Sequence, residues 1–437
     1  MNQSTKADHP RATNRSRPHS LAIPHQEQQA DRPPHSYERW LIGKLLHLAG
    51  SPPLCFRLWN GETINTDGVT AKYTLQLSDP KALYQLVGNP NLAFGDLYSS
   101  GRLEVEGSLP DLMAALYRAV QDARERWPRW LEALWRNHSP RSTSVSEARD
   151  NIHHHYDLGN DFYSLWLDKA EMQYTCAYYE EAGLSLEQAQ LAKLEHVCRK
   201  LRLKPGQTVV EAGCGWGGLA RYMAREHGVK VHAYNISKEQ IEFARAEARR
   251  QNLDHLINYV EDDYRNISGQ YDAFVSVGML EHVGKDNFDE LAQVIKRALK
   301  PEGMALLHSI GRNRPMLMNA WIEKRIFPGA YPPSIGEFMG ICESGEFSVL
   351  DVENLRLHYA RTLEDWMSRF QEHESEVVEM YGEEFNRAWR MYLAGSIAAF
   401  QAGALQLFQV VFTHGQNNNL LLNRKHLYTT PAAPEAV

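Results

Sequence analysis

The stretch Thr208-Val-Val-Glu211-Ala-Gly213-Cys-Gly215-Trp-Gly217-Gly218-Leu219 decides the fold. Residues 208–212 read as a strand, and four glycines within the next six positions end it just before a helix that begins near Leu219. Glycines at a strand-to-helix turn let the backbone approach a ligand closely, and their N–H groups can point at it. The turn lacks the Lys-Ser/Thr ending of a phosphate-cradling loop, and its acid precedes the glycines, so it is not a simple dinucleotide fingerprint.

Outward from this turn, strand patterns alternate with amphipathic helices. Residues 230–236, 257–260, 273–277 and 304–309 are the further predicted strands, which predicts an α/β domain with a parallel sheet covered on both faces. The uncharged run 391–412 is broken by Ser396, Gln401, Gln406 and Gln409 and by Gly395 and Gly403; it reads as a buried helix rather than a membrane span.

Upstream the chain changes character. Residues 1–37, rich in Pro and polar residues and without an apolar signal segment, read as a mobile tail, and 38–120 as a small α+β domain. In that domain 54–59, 69–77 and 103–106 look like strands, the last an edge strand, and 81–87 a helix. A further helix starts at Pro110-Asp111. Residues 121–150 read as connector and linker before the main domain, 151–437. Trp127, Trp130 and Trp135 among arginines fit a helix packed between domains or one lying in a lipid headgroup layer, and the connector is the favoured reading.

Composition narrows the function. At 437 residues the chain holds two or three domains, and its net charge of −7, from 47 basic against 54 acidic residues, excludes the overall basic excess that a nucleic-acid binder uses. Five scattered cysteines form no CxxC pair and no zinc-like set, so no metal site is expected and a reducing, cytoplasmic setting fits.

The glycine turn resembles the E/D-x-G-x-G-x-G signature of S-adenosylmethionine-dependent methyltransferases, and further segments agree. In order along the chain come His155-Tyr-Asp-Leu-Gly-Asn-Asp-Phe-Tyr163, Met172-Gln-Tyr174-Thr-Cys176-Ala-Tyr178, Gly278-Met-Leu-Glu281-His282-Val-Gly284 and Leu307-His308-Ser-Ile310-Gly311. Together they resemble the cyclopropane-fatty-acyl-phospholipid synthases and mycolic acid cyclopropane synthases, with the match running from about Asn151 to Arg424. The small domain resembles the extra amino-terminal domain of the bacterial phospholipid-acting members.

The resemblance implies a Rossmann-like class I methyltransferase with a doubly wound sheet. It implies S-adenosylmethionine as co-substrate, contacted by Tyr174, Thr175, Gly213, Cys214, Gly215, Asn235, Gln240, Asp263 and Tyr264. Asn235 stands where such folds usually carry a ribose-binding acid, and Ser237 with Gln240 also reads as a capping box, so Gln240 has a purely structural alternative. The resemblance further implies a bicarbonate ion as base, held by Cys176 and Ile310 largely through main-chain groups and surrounded by the side chains of Glu281, His308 and Tyr359. Taken singly, these residues also read as a helix cap, a core histidine, a buried filler and a packing aromatic.

The expected reaction adds a methylene to a cis double bond of an acyl chain in a membrane phospholipid, at the inner face of the membrane, by a peripherally bound homodimer. The chemistry needs a dry corridor and a base but no thiol nucleophile, so Cys176 is read as an ion-binding position. Residues 321–333 look like a lid over the corridor, with Lys324 and Arg325 available to headgroup phosphates. The alternatives are a methyl-branching relative, a small-molecule methyltransferase and a non-catalytic lipid binder.

Overall fold

The computed structural model describes residues 32–124 and 158–428. The tryptophan-rich connector, the first part of the His155–Tyr163 motif and most of the proposed tail lie outside the described residues. The tail reading reached too far, because the first helix, Ser36–Leu48, begins before its end. Glu38 in that helix is fully buried and forks Arg32, whose carbonyl accepts the indole N–H of Trp59 at 2.8 Å.

The small domain is a four-stranded sheet in the order β2-β1-β3-β4: β1 Leu54–Arg57, β2 Thr63–Asn65, β3 Tyr73–Leu77 and β4 Leu103–Glu106. Strand β4 sits at an edge, as its alternation predicts. Helices Pro80–Gly88 and Pro90–Ser99 each start with proline after a capping side chain, Asp79 on the amide of Ala82 and Asn89 on that of Leu92. Helix Leu109–Arg124 closes the domain.

The large domain carries a seven-stranded sheet in the order β10-β11-β9-β8-β5-β6-β7. Its strands are β5 Thr208–Ala212, β6 Lys230–Asn235, β7 Ile257–Glu261, β8 Tyr271–Val277, β9 Leu299–Gly311, β10 Phe347–Asn354 and β11 Gln406–His414. Strands β5 to β9 are parallel, and the chain order reverses at β5, between β6 and β8. Ligands of doubly wound folds bind at the carboxyl ends of the strands beside such a reversal.

Two expectations need correction. The sheet is mixed, because β11 runs antiparallel between β9 and β10. Nor is 391–412 one helix: Glu383–Gln401 is helical, Gly403 turns at φ +74°, and the chain returns as β11. Eight of the nine residues of β11 are buried, so it has no in-out alternation to betray it. Among the described residues no helix is long and apolar enough to cross a membrane.

The two domains interlock. Helix Glu383–Gln401 packs on Leu109–Arg124 and Pro90–Ser99, and Arg387 donates to the carbonyl of Tyr98 at 2.7 Å and to Glu104 at 3.0 Å. The short helix Ala320–Arg325 presses Trp321 onto Gly95, where any side chain would collide with the indole.

Candidate active site

Two cavities meet at the carboxyl ends of β5 and β8. The smaller, about 140 Å³, is lined by the glycine turn, Tyr174, Thr175, Glu211, Asn235, Gln240, Asp263, Tyr264, Gly278 and His282. All nine residues expected to contact S-adenosylmethionine line it, Cys214 included.

The turn works differently from its first reading. The N–H groups of Gly213 and Cys214 both donate to the carbonyl of Tyr234, at 2.9 and 3.0 Å, and that of Gly217 donates to Cys214. The first two amides tie the end of β5 to β6 and the third closes the turn on itself, so these three do not point at a ligand. What glycine provides is space and conformation. Gly215 has φ +52° with nothing within 4 Å of where a Cβ would stand, and Gly217 has φ +77° with the Tyr259 hydroxyl 2.5 Å from that place. The buried Arg221 braces the turn, donating to the carbonyl of Trp216 at 2.7 Å and forking Glu171. Trp216 in turn donates its indole N–H to Asn160 at 2.7 Å, joining the turn to the helix Asn160–Trp166.

The capping-box reading of Gln240 gives way. Ser237 caps the Gln240 amide, but the Gln240 side chain turns to Asn235, whose Nδ2 donates to its Oε1 at 2.8 Å. Gln240 thus belongs to the cavity wall, and Asn235, 9% exposed, organises it. Asp263 receives the main-chain N–H of Arg265 and pairs with its guanidinium at 3.1 Å, while the buried Tyr264 hydroxyl has no partner. Glu211 is the acid that precedes the glycines of the turn. It is fully buried, its Oε2 lacks a partner, and burial lifts its carboxyl to about 8 against the pull of Lys193 and Arg221.

The larger cavity, about 900 Å³, shares Tyr174, Thr175, Gly278 and His282 with the smaller. Gly278 has φ +75°, and a Cβ there would stand 2.9 Å from Thr175 Cγ2, so there is no room for a side chain where the two cavities adjoin. Much of the rest is aromatic and aliphatic, with Phe327, Tyr359, Leu363, Met391, Tyr392 and Phe400 from the large domain and Leu46, Phe56, Phe94, Met113 and Leu116 from the small one, while Arg312, Asn313 and Arg314 add a polar stretch. The small domain, read as lacking catalytic groups, thus contributes apolar wall. Tyr174 and Tyr392 exchange a hydroxyl hydrogen bond at 3.0 Å across this space.

Glu281, His308, Ile310 and Tyr359 all line the larger cavity. Glu281 sits in the short helix Leu280–Val283 just past β8, and its Oε1 accepts the Ile310 N–H at 2.6 Å. That amide is therefore committed to Glu281. The other oxygen, Oε2, is buried without a partner, and burial raises the carboxyl to about 7. His308 Nδ1 faces the Gln409 amide at 3.0 Å, while its Nε2 is buried with no partner. Burial, reinforced by Lys193 and Lys200, holds His308 well below the ordinary histidine range, so the ring is neutral. Tyr359 packs against Phe400 with the rings tilted by 34° and their centroids 4.7 Å apart.

Cys176 stands apart. It is fully buried, lines neither cavity, and has its Sγ 3.1 Å from the Ala177 carbonyl. Burial pushes the thiol far above its usual value, which leaves it inert as a nucleophile. Arg325 is likewise not available to a phosphate, since its guanidinium forks Asp96 of the small domain at 3.0 and 3.1 Å. Ser396 lines the larger cavity as a half-buried hydroxyl.

Comparison with known proteins identifies one family and, within it, relatives of two different names. Residues 143–410 match the family described as mycolic acid cyclopropane synthetase, and residues 41–125 match a domain of unknown function. The chain is 45% identical over 273 residues to cyclopropane-fatty-acyl-phospholipid synthase of Escherichia coli K12, a match covering 62% of this chain and 69% of that protein. It is 35% identical over 382 residues to a probable fatty acid methyltransferase of Pseudomonas putida, covering 84% and 92%. The solved mycolic acid cyclopropane synthase CmaA1, complexed with SAH and CTAB, superposes with a TM-score of 0.58 at 29% identity, over 60% of this chain and 97% of that one.

Proposed function

Because this chain belongs to the mycolic acid cyclopropane synthetase family, S-adenosylmethionine-dependent enzymes that transfer methyl or methylene groups to lipid acyl chains, we propose that it converts a cis double bond of a phospholipid acyl chain into a cyclopropane ring. One observation carries the proposal. Two unpartnered buried polar atoms, Glu281 Oε2 and His308 Nε2, belong to residues walling a large apolar cavity that adjoins the glycine-turn cleft across Gly278.

The chemistry fits those walls. An isolated double bond is a weak nucleophile, so it must be held in line with the sulfonium methyl, and such positioning is worth ~7 to 11 kcal/mol. As the alkene carbon bonds to the methyl, the S–C bond breaks, adenosylhomocysteine leaves, and positive charge appears on the chain. Tyr174, Tyr359, Tyr392 and Phe400 line the cavity with aromatic rings that attract a cation and exclude water. Ring closure then requires loss of a proton from the added methyl group. The partnerless Glu281 Oε2 and His308 Nε2 suit a small anion that can both donate and accept hydrogen bonds, and bicarbonate bound there would supply the base. Glu281, lifted to about 7 by burial, can sit beside such an anion in its protonated form.

A methyl-branching product is the second reading, favoured by the name of the Pseudomonas putida relative, which matches over more of the chain. The retained pair Glu281 and His308 supports ring closure instead. Purified protein incubated with S-adenosylmethionine, bicarbonate and vesicles of cis-monounsaturated phospholipid is expected to yield acyl chains heavier by one CH₂. Saturated vesicles should give none. Equal conversion of saturated lipid, or methylation of water-soluble acceptors alone, would overturn the proposal.

A further inference from the structure

Behind His308 runs a row of polar side chains that the proposed chemistry does not use. His308 on β9, Gln409 on β11 and Glu353 on β10 are direct cross-strand partners, so all three side chains project from the same face of the sheet. Helix Leu186–Leu201 lays Lys200 over the row. Its Nζ donates to Glu353 Oε2 at 2.6 Å and to Gln409 Oε1 at 2.7 Å, and Gln409 Nε2 lies 3.0 Å from His308 Nδ1. His196 of the same helix adds a contact to Glu353 Oε2 at 2.7 Å. The Lys200 side chain has 0% exposure.

Burying an ammonium is expensive, and a well-packed apolar residue would fill the space at less cost. An ammonium does one thing that no apolar or hydroxyl side chain can do, because it has three donors and no acceptor. The amide atom against it must therefore be the oxygen, which fixes the orientation of Gln409. The other end of that amide is then NH₂, a donor, so the nitrogen it meets must offer a lone pair. A neutral imidazole with its lone pair on Nδ1 carries its proton on Nε2.

We propose that Lys200, acting through Gln409, is a positioning residue that locks His308 as the Nε2–H tautomer. The ring of this cavity-lining residue then carries a hydrogen-bond donor on the buried, partnerless Nε2 and has no lone pair there with which to accept a proton. The inference rests on the reading of His308 as part of an anion site, and it gives that histidine a single role, to hold the anion and not to act as base. The buried charge is explained by the same logic: a hydroxyl in its place could donate or accept, and the amide could flip.

Gln409→Glu inverts the arrangement with little change of shape. A carboxylate pairs with Lys200 and offers its second oxygen to His308 Nδ1, which must then carry the proton. In full-length protein labelled with ¹⁵N-histidine, two-bond ¹H–¹⁵N spectra, with His308 assigned by its loss in His308→Asn, are expected to show Nε2–H in the wild type and Nδ1–H in Gln409→Glu. Binding of ¹³C-bicarbonate, followed by NMR, should weaken roughly tenfold to a hundredfold in that variant, the range for one lost hydrogen bond to a charged group. Lys200→Arg, which keeps only donors, should retain the wild-type tautomer, whereas Lys200→Met, which leaves the amide free to flip, should show Nδ1–H beside Nε2–H; this second variant carries the test if Gln409→Glu does not fold, and a pure Nε2–H ring in it would overturn the inference. A wild-type ring protonated on Nδ1, or the same tautomer in wild type and Gln409→Glu, would overturn the inference. Neither readout uses lipid. If no phospholipid is modified while the tautomers behave as stated, only the proposed function falls. Normal cyclopropane formation with a misassigned tautomer would remove only this inference.

Discussion

Replacing Glu281 by Gln should remove a pH-dependent loss of stability that the wild type carries. The folded carboxyl titrates at about 7 against an ordinary value of 4.5, because burial disfavours its charged form. A raised acid pKa means the folded state holds its proton more tightly than the unfolded chain does. The stabilising contribution is therefore complete below the unfolded value and is lost as pH rises through the folded one. At ~1.4 kcal/mol per pKa unit, the wild type loses roughly 2.5 kcal/mol between pH 5 and pH 8 from this group alone. Glutamine keeps an oxygen for the Ile310 N–H, which donates at 2.6 Å, but does not titrate. Urea unfolding of both proteins at pH 5, 6, 7 and 8, in bicarbonate-free buffer, should therefore show Gln gaining on Glu by about that amount. Parallel stability profiles would refute the buried, poised carboxyl, and a gain in the opposite direction would show that the charged form is the one stabilised.

Three further outcomes follow from the same geometry. Gly278→Ala places a methyl 2.9 Å from Thr175 Cγ2 at a backbone with φ +75°, so kcat/KM should fall at least about tenfold, with weaker adenosylhomocysteine binding by calorimetry. Ser396→Trp fills the larger cavity without touching the smaller, so lipid conversion should drop on the order of a hundredfold while adenosylhomocysteine affinity holds. A double-mutant cycle on Asp96 and Arg325 should give a coupling of about 0.5 to 1 kcal/mol in unfolding, modest because both groups are partly exposed.

Much of this was legible in the chain itself, since the glycine turn and the five parallel strands are local patterns. Strand β5 was read at its observed bounds, and β9 only in its second half, since Pro301 and Gly303 hide its start. Strand β11 was missed for a physical reason. Buried on both faces, it joins seamlessly in composition to the helix before it, and only Gly403 marks the break. With β11 misread as helix, Gln409 looked like a polar interruption instead of the cross-strand partner of His308. Lys200 reads locally as a last-turn helix cation, and nothing nearby in sequence says that it is buried. The contacts Tyr174 to Tyr392 and Arg325 to Asp96 join residues more than 200 positions apart, which no window along the chain can see. The glycine turn is legible as flexible, but not that its Gly213 and Cys214 amides are already satisfied by the Tyr234 carbonyl.

The central claim is that the transferred carbon gives up one hydrogen in the pocket walled by Glu281 and His308 and then closes a ring. Donor carrying a CD₃ group, supplied with monounsaturated phospholipid vesicles, tests it most directly. The product should retain two of the three deuterons as a ring CD₂, and its two ring C–H protons should show the upfield resonances of a cyclopropane. Retention of all three, in a branched chain without those resonances, would contradict it.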